Sequence, residues 1–345
     1  MKRSRLTELT RLILPLAILA STPALGQATG DATPAGLTPP EGSTTGAEAE
    51  PVAEPSFLGI KKFELTADAV IQERSHIKRT DESFRLGQYE LQGQAVLKKQ
   101  FPIPRAIDVS LLRLDLDTPN DLVPEELIDL SAEYITPIAQ FENGWYLGGR
   151  IGAGYAGEKL GDYSDGYYGK ATLIVGRQLD KTSSILVALG YDGNRAIFPD
   201  LPLPFIAYTK LLRDPQLELV AGFPFTTVRY RPTKQWLFEA TATIGTIAGR
   251  IEYNLTENVQ LYGFANDVSR AFRLDDLPNH DRLFFEQNRA EAGVVLKPRK
   301  DIGITLAGGY AFNQEFSTGF DTRETVALYK PADAAYARIG LEWKP

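Results

Sequence analysis

The sequence contains no cysteine, two histidines and one methionine, Met1. Disulfide frameworks, iron–sulfur clusters, cysteine nucleophiles and zinc sites of the Cys/His type are therefore excluded. The histidines, His76 and His280, are far apart along the chain and leave little material for acid–base catalysis by imidazole. We therefore expect a protein that is not an enzyme and that has no catalytic residue, metal site or other cofactor.

The chain has little continuous hydrophobic sequence near its start. A basic stretch in residues 2–11 precedes a short apolar run from Leu12 to Ala20, and small residues follow. This order is typical of a cleaved secretory signal, and the run has about half the length that a spanning helix needs. An uncleaved anchor is disfavoured because Pro15 and Pro23 interrupt the run. We predict a signal peptide at residues 1–28.

Basic residues are absent from residues 29–56, which are rich in Pro, Gly, Ala and Thr and carry several acidic residues. A segment of this composition cannot bury enough apolar surface to offset its ordering entropy, so we predict a disordered acidic linker. Because the first 28 residues are basic, the rest of the chain is more negative than the formal charge of -7 for the whole sequence. This acidity disfavours nucleic acid as a partner.

From residue 57 to 345 the sequence shows a period of two rather than a helical period. Apolar residues alternate with small or ionisable ones in residues 302–312 and 337–343, and Leu112, Leu114 and Leu116 alternate with charged residues. Alternation of this kind indicates β-strands with one apolar and one polar face. We therefore predict an all-β domain over residues 57–345.

Connections of two lengths separate these strands. Long polar or Gly-rich loops are predicted at residues 158–166, 192–204 and 274–281, and the short turn signals are at residues 180–183, 213–216, 232–235, 254–258, 298–301 and 331–334. Short turns at one end and long loops at the other are typical of bacterial outer-membrane barrels. Strands of about ten residues also suit a tilted crossing of the hydrocarbon layer better than a soluble sandwich.

These features favour an antiparallel transmembrane β-barrel of about 12 strands, within a range of 10 to 16. The segment at residues 216–232 leaves the strand number open. It fits two strands of about seven residues each, or a single strand that Pro224 bends.

The polar face of the strands is assigned to the lumen, and aromatic residues near strand ends are assigned to the membrane interfaces. The lumen assignment covers Arg113, Asp115, Asp117, Arg177, Arg229, Arg231, Arg250, Glu252, Arg289, Glu291, Arg338 and Glu342. The interfacial assignment covers Trp145, Tyr168, Tyr230, Trp236, Tyr253, Tyr310 and Trp343. The mixed lumen charges fit either a network of mutually satisfied pairs or a narrow, water-filled polar passage.

The stretch from Phe198 to Trp236 resembles known proteins. With Leu201-Pro202-Leu203-Pro204, Gly222-Phe223-Pro224 and residues 228–232, it is similar to the central part of a family of secreted bacterial barrels of unknown function. The chain as a whole resembles the outer-membrane β-barrel proteins of Gram-negative bacteria. The resemblance implies a fold and a location in the outer membrane, and it implies no catalytic residue.

We expect a passive small-solute channel or a structural barrel in the outer membrane of a Gram-negative bacterium. A periplasmic or secreted β-sheet binding protein without channel activity is the alternative. The expected partners are outer-membrane lipid, the barrel-assembly machinery and small solutes.

Overall fold

The computed structural model describes residues 63–78, 82–99, 103–118, 123–161, 163–180, 182–213, 216–277 and 281–345. The predicted signal peptide, the predicted linker and His280 lie outside these ranges. None of the helices in the described part of the chain is long and apolar enough to cross a membrane.

The described residues form strands and one 3-10 turn, Ser164–Gly166. The strand segments are β1 (Phe63–Gln72), β2 (Ser75–His76), β3 (Ser83–Lys98), β4 (Arg105–Asp117), β5 (Glu126–Gln140), β6 (Trp145–Gly157), β7 (Tyr167–Asp180), β8 (Ser183–Asp192), β9 (Leu203–Arg213), β10 (Gln216–Phe223), β11 (Phe225–Arg231), β12 (Trp236–Thr243), β13 (Thr246–Asn254), β14 (Val259–Phe272), β15 (Arg282–Arg299), β16 (Ile302–Gly319), β17 (Thr325–Tyr329) and β18 (Ala334–Trp343).

The strands close into a barrel because the last one returns to the first. Each long strand pairs antiparallel with its neighbours in the chain, and β18 pairs with β1 from Leu65 opposite Trp343 to Gln72 opposite Tyr336. The short segments β2 and β17 continue β1 and β18 beyond a bend, beside β3 and β16 respectively. The described barrel therefore has 16 strands.

The expected number of about 12 strands is wrong, and the true value lies at the upper limit of the predicted range. The difference arises in one sector, where β10 to β13 have only 8, 7, 8 and 9 residues. Pro224 separates two short strands rather than bending one, and Gly245 turns the chain between β12 and β13 with a φ of 96°. Only glycine adopts this backbone conformation at little cost, so a two-residue turn suffices there.

The connections have the predicted asymmetry except between β10 and β11 and between β12 and β13, where tight turns at Pro224 and Gly245 lie at the same end as the long loops. The turns near residues 181, 214, 233, 256 and 300 lie at one end of the barrel, and the loops at 158–166, 193–202 and 273–281 lie at the other. We call these the short-turn end and the long-loop end. The turn predicted at residues 331–334 is wrong, because these residues join β17 to β18 along the same strand, where Pro331 pairs with Ile77.

The outer face of the barrel carries a continuous apolar band. Each of the 16 strands contributes outward apolar residues, among them Ile151, Ile247 and Ile339, which are 65%, 70% and 56% exposed. On β18 the band runs from Ala335 to Trp343. At about 3.4 Å per residue and a tilt of about 40°, this stretch is about 20 Å high, close to the apolar band of a membrane barrel.

The polarity of the faces inverts towards the long-loop end of β4. Leu112, Leu114 and Leu116 are buried inside the barrel, whereas Arg113 and its neighbours on the other face point outwards. The outward position of Arg113, Asp115 and Asp117 corrects their assignment to the lumen. The physical reason is that the strand here extends beyond the apolar band, so water covers its outer face and an apolar core covers its inner one.

That apolar core, which we call the upper core, fills the barrel at the long-loop end. Its fully buried members include Phe84, Leu127, Phe272, Phe285 and Phe316, contributed by strands from opposite sides of the barrel. The aromatic rings of Phe285 and Phe316 stack at 4.6 Å between centroids.

The upper core is enclosed because β14 leaves the ring of strands. Its pairing with β13 ends at Asn266, and its last residues pair only with β15. Immediately beyond it, the Arg273 N–H donates to the Ala156 carbonyl at 3.1 Å, next to a parallel bridge between Arg273 and Gly157 at the end of β6. This contact joins two walls across the barrel and leaves β7 to β13 below the upper core.

The upper core predicts a large stability effect at Phe316. Replacing Phe316, which is 0% exposed, by Ala leaves a cavity and removes apolar contacts, so we expect the free energy of unfolding to fall by about 3–5 kcal/mol. Urea unfolding followed by tryptophan fluorescence measures the change. Phe320→Ala, at a half-exposed position in the neighbouring loop, is the matched control, and an equal loss in both variants would contradict the assignment of the core.

Candidate functional site in the barrel interior

Eight of the twelve charged residues predicted for the lumen lie on the inward face of their strands. They are Arg229, Arg231, Arg250, Glu252, Arg289, Glu291, Arg338 and Glu342. Their role in lining a passage stays a prediction. Arg177 is a further correction, since it lies on the outer face of β7 with its guanidinium 5.8 Å from the ring centroid of Trp145. An arginine at this height near the short-turn end extends to the aqueous side of the apolar band.

The centre of one wall is organised by Arg338. Its Nε donates to the Asp68 carboxylate at 2.9 Å and its Nη1 to Glu291 at 2.8 Å, and the Tyr262 hydroxyl donates to the same Glu291 oxygen at 2.7 Å. The side chains of Arg338, Asp68 and Glu291 are at most 10% exposed. One guanidinium thus neutralises two buried carboxylates from β1 and β15.

The same wall continues towards the short-turn end with further pairs. Arg250 contacts Glu252, which also accepts from Gln260, and Lys344 lies between Glu64 and Glu342. These residues belong to neighbouring strands, and the alternation of each strand brings them to the same face. The charges form a ladder of satisfied pairs along this wall.

A second cluster on β4 to β8 has more acids than bases. Arg150 bridges Asp108 at 2.7 Å and Glu133 at 3.3 Å, and Lys170 bridges Glu133 at 3.0 Å and Asp192 at 3.6 Å. The sequence-based assignment to the lumen did not name Asp108, Lys170 or Asp192 of this cluster. Asp108 and Lys170 alternate with outward apolar residues in the sequence, and this signal could have identified them.

Tyr168 belongs to this cluster rather than to a membrane interface, which corrects its assignment. Its side chain points inwards, and its hydroxyl donates to Asp129 at 2.7 Å. Buried acids need such donors because an unsatisfied carboxylate in the interior is costly. Five of the predicted interfacial aromatic residues lie on the outer face near the short-turn end, namely Trp145, Tyr230, Trp236, Tyr253 and Trp343. Tyr310 lies on the outer face of β16 opposite Ala335, at the other edge of the apolar band.

An apolar cluster occupies the interior next to β4 to β9. Ile103, from the turn between β3 and β4, folds into the barrel and packs with Tyr146, Ile174, Leu186 and Phe205. A Cβ at Gly148 on the facing strand would lie 2.2 Å from Ile103 Cδ1, so any larger residue there would displace the Ile103 side chain. This part of the interior is filled without any strand that crosses it.

The loop between β8 and β9 closes the same sector at the long-loop end. Arg195 and Arg282 are 2% and 1% exposed and donate to backbone carbonyls, Arg195 to Gly190 at 3.0 Å and Arg282 to Arg195 at 2.9 Å and Phe320 at 2.8 Å. Burial lowers the pKa of Arg195, because the charged form loses hydration. Arg323 further stacks 3.8 Å above the ring of Phe198.

One sector of the interior face remains accessible. On β11 to β13 the inward residues Thr227, Thr241, Thr243 and Thr246 are half-exposed, although they face the inside of the barrel. The wall is low here, and its two turns meet where the Ile244 N–H donates to the Pro224 carbonyl at 3.2 Å. Towards the short-turn end Arg229 pairs with Glu218 at 3.1 Å and Glu239 at 2.7 Å.

No group of three or more His, Asp or Glu side chains in the described ranges is arranged to hold a metal ion. The interior carries charged and hydroxyl groups.

The Arg338 network generates a prediction about stability. Arg338→Met leaves Asp68 and Glu291 buried without their cation, so we expect a loss of about 3–5 kcal/mol in the free energy of unfolding. The triple variant Asp68→Asn, Glu291→Gln, Arg338→Met removes all three charges, and we expect it to regain most of that loss. Urea unfolding of both variants tests this, and equal stability of the single and triple variants would show that the network is not coupled.

The fold of this chain is similar to those of several solved structures. No family model and no curated protein matches the sequence. The NanC porin is 11% identical with a TM-score of 0.28, and the match covers 81% of this chain and 100% of that one. The toluene transporter TodX of Pseudomonas putida is 10% identical with a TM-score of 0.37, covering 85% and 92%. OprB of Pseudomonas putida is 8% identical with a TM-score of 0.32, covering 81% and 93%. Matches of such low identity say nothing about a substrate of this chain. The closed ladder of strands by itself defines the chain as an antiparallel β-barrel.

Proposed function

We propose that the chain is an integral outer-membrane β-barrel of a Gram-negative bacterium, exported by a signal peptide that is then removed. The continuous apolar band on the outside supports the membrane, since a soluble protein rarely exposes so large an apolar surface. A secreted or periplasmic binding protein is less favoured for the same reason. We expect the barrel to be inserted into outer-membrane lipid by the barrel-assembly machinery.

We further propose that the barrel is a passive channel for small solutes. The half-exposed threonines on the inward face of β11 to β13 support this proposal, because none of them belongs to an apolar cluster, although Phe225 at the start of β11 packs against the cluster around Ile103. The passage would run from the low wall at Pro224 and Gly245, past the threonine hydroxyls, to Arg229 and Arg231 near the short-turn end. Hydroxyl and paired charged groups suit hydrated solutes and exclude apolar ones.

A structural barrel without conductance is the second candidate. The upper core and the contact between Arg273 and Ala156 favour it, because they close the long-loop end of half the barrel. The two candidates share the fold and the location and differ in whether water passes along β11 to β13.

The membrane assignment is tested by an arginine in the apolar band. Ile339→Arg at mid-height on β18 places a charge in the hydrocarbon layer, so we expect the unfolding free energy in lipid vesicles to fall by about 2–4 kcal/mol. Val326→Arg is the matched control, because Val326 is 69% exposed but lies on β17 beyond the band. We expect it to change stability by less than about 0.5 kcal/mol. Equal effects would count against a membrane at this height.

The channel is tested by planar-bilayer recording of the folded protein. We expect small conductance steps, and we expect Arg231→Glu to shift the reversal potential in a salt gradient towards cation preference, since it reverses a charge at the mouth of the passage. Arg113→Glu changes the same charge on the outer face and serves as the control without effect. Folded protein that gives no conductance steps would favour the structural barrel. An unchanged ion preference in Arg231→Glu would contradict a passage that runs beside Arg231 on β11.

A further inference from the structure

A cavity of about 40 Å³ lies inside the barrel beneath the upper core. Its charged lining consists of three arginines and three carboxylates, namely Arg270, Arg289, Arg338, Asp68, Glu90 and Glu291. The volume has room for a few water molecules or for a group of similar size, such as a carboxylate. The cavity is separate from the half-exposed threonines of β11 to β13.

The three arginines of the cavity are not equally neutralised. Arg338 contacts two carboxylates, and Arg270 contacts Glu90 at 3.4 Å. Arg289, among the described residues, forms no ion pair with any carboxylate. Its charge is therefore the one in this cavity that no protein anion compensates directly.

Neutral groups hold Arg289 in place. Its Nη2 donates to the Gln88 side-chain oxygen, and Nε lies 2.9 Å from the Gln287 amide oxygen when that amide is oriented to accept. The ring of Tyr336 lies 5.7 Å from the guanidinium carbon. Amides and an aromatic ring orient a guanidinium without cancelling its charge. No hydrogen bond within the described residues uses its Nη1, so a donor remains for a ligand.

Gln88 explains why the nearby Glu90 does not neutralise Arg289. The Gln88 amide nitrogen donates to Glu90 at 2.6 Å while its oxygen accepts from Arg289, so the amide separates the two charges. Glu90 is instead shared between Gln88 and Arg270. Glu90 and Glu291 therefore act on Arg289 through space without a direct contact. A guanidinium in the interior with no direct anionic partner is unfavourable unless water or a counter-ion satisfies it.

The remaining lining fits a ligand with an apolar part. Val70, Phe264 and Val268 line the same cavity, next to the side-chain amide of Asn266. We propose that this cavity binds a small carboxylate with a short carbon chain, whose oxygens accept from Arg289 and whose carbons contact Phe264 and the two valines. Nη1 provides the N–H groups that remain for this carboxylate, because Gln88 and Gln287 accept from Nη2 and Nε.

The proposal is tested by acetate-dependent thermal stability of the mature protein, folded in detergent and checked by heat-modifiable gel mobility. Sodium acetate is titrated against sodium chloride at equal ionic strength, and the unfolding midpoint is recorded. We expect the midpoint of the native protein to rise with acetate. In Arg289→Gln we expect acetate to bind at least about tenfold more weakly, as for the loss of a charged hydrogen bond.

Two further variants make the result specific. Arg250→Gln removes another lumen arginine, one that contacts Glu252, and we expect its acetate response to match the native one. Arg289→Lys keeps the positive charge but loses the planar guanidinium, so we expect weaker but measurable acetate binding. This variant is informative if Arg289→Gln fails to fold. An unchanged acetate response in the folded Arg289 variants, or an equal response to chloride in the native protein, would overturn the proposal. The measurement is made at equilibrium, so its outcome is independent of whether the barrel conducts.

Discussion

The pairing of β18 with β1 is the constraint on which the rest of the molecule depends. A sheet in an apolar surrounding cannot leave an edge with unsatisfied N–H and C=O groups, so the ladder has to close. With 16 strands, closure encloses an interior wider than strand side chains alone can fill. The chain therefore needs additional material inside, and the position of that material determines which part of the interior stays accessible.

Three features fill this interior, and all of them spare the same sector. The end of β14 crosses to β6 and encloses the upper core, Ile103 enters from a turn at the opposite end, and the loop at 193–202 is fixed by Arg195 and Arg282. None of them covers the threonines on the inward face of β11 to β13, where the strands are too short to rise above the apolar band, although Phe225 of β11 packs against the cluster around Ile103. The short strands and the accessible face thus have one geometric origin.

The sequence predicted the all-β class, the asymmetry of the connections and the two faces of strands such as β16 and β18, because each follows from local alternation. It did not predict the number of strands, since β10 to β13 contain only three to five residues on each face and Pro224 fits a bend as well as a turn. It also misplaced Tyr168 and Arg177. Alternation with a period of two assigns residues to two faces of a strand but does not show which face points inwards. For Tyr168 and Arg177 only the pairing with the neighbouring strands shows the orientation.

The inversion along β4 shows why charge is an incomplete guide to a lumen. Within the apolar band a charged residue has to face inwards, because the alternative is hydrocarbon. Beyond the band both faces are free of lipid, and the fully buried face becomes the apolar one, as with Leu114 against Arg113. The same charge pattern therefore marks the inside at one height and the outside at another. Arg289 lies at the long-loop edge of the apolar band, opposite Ala311 and between the outward residues Asn288 and Ala290, so the alternation of β15 sets its inward position. Its lack of a direct ion pair is a property of the interior itself.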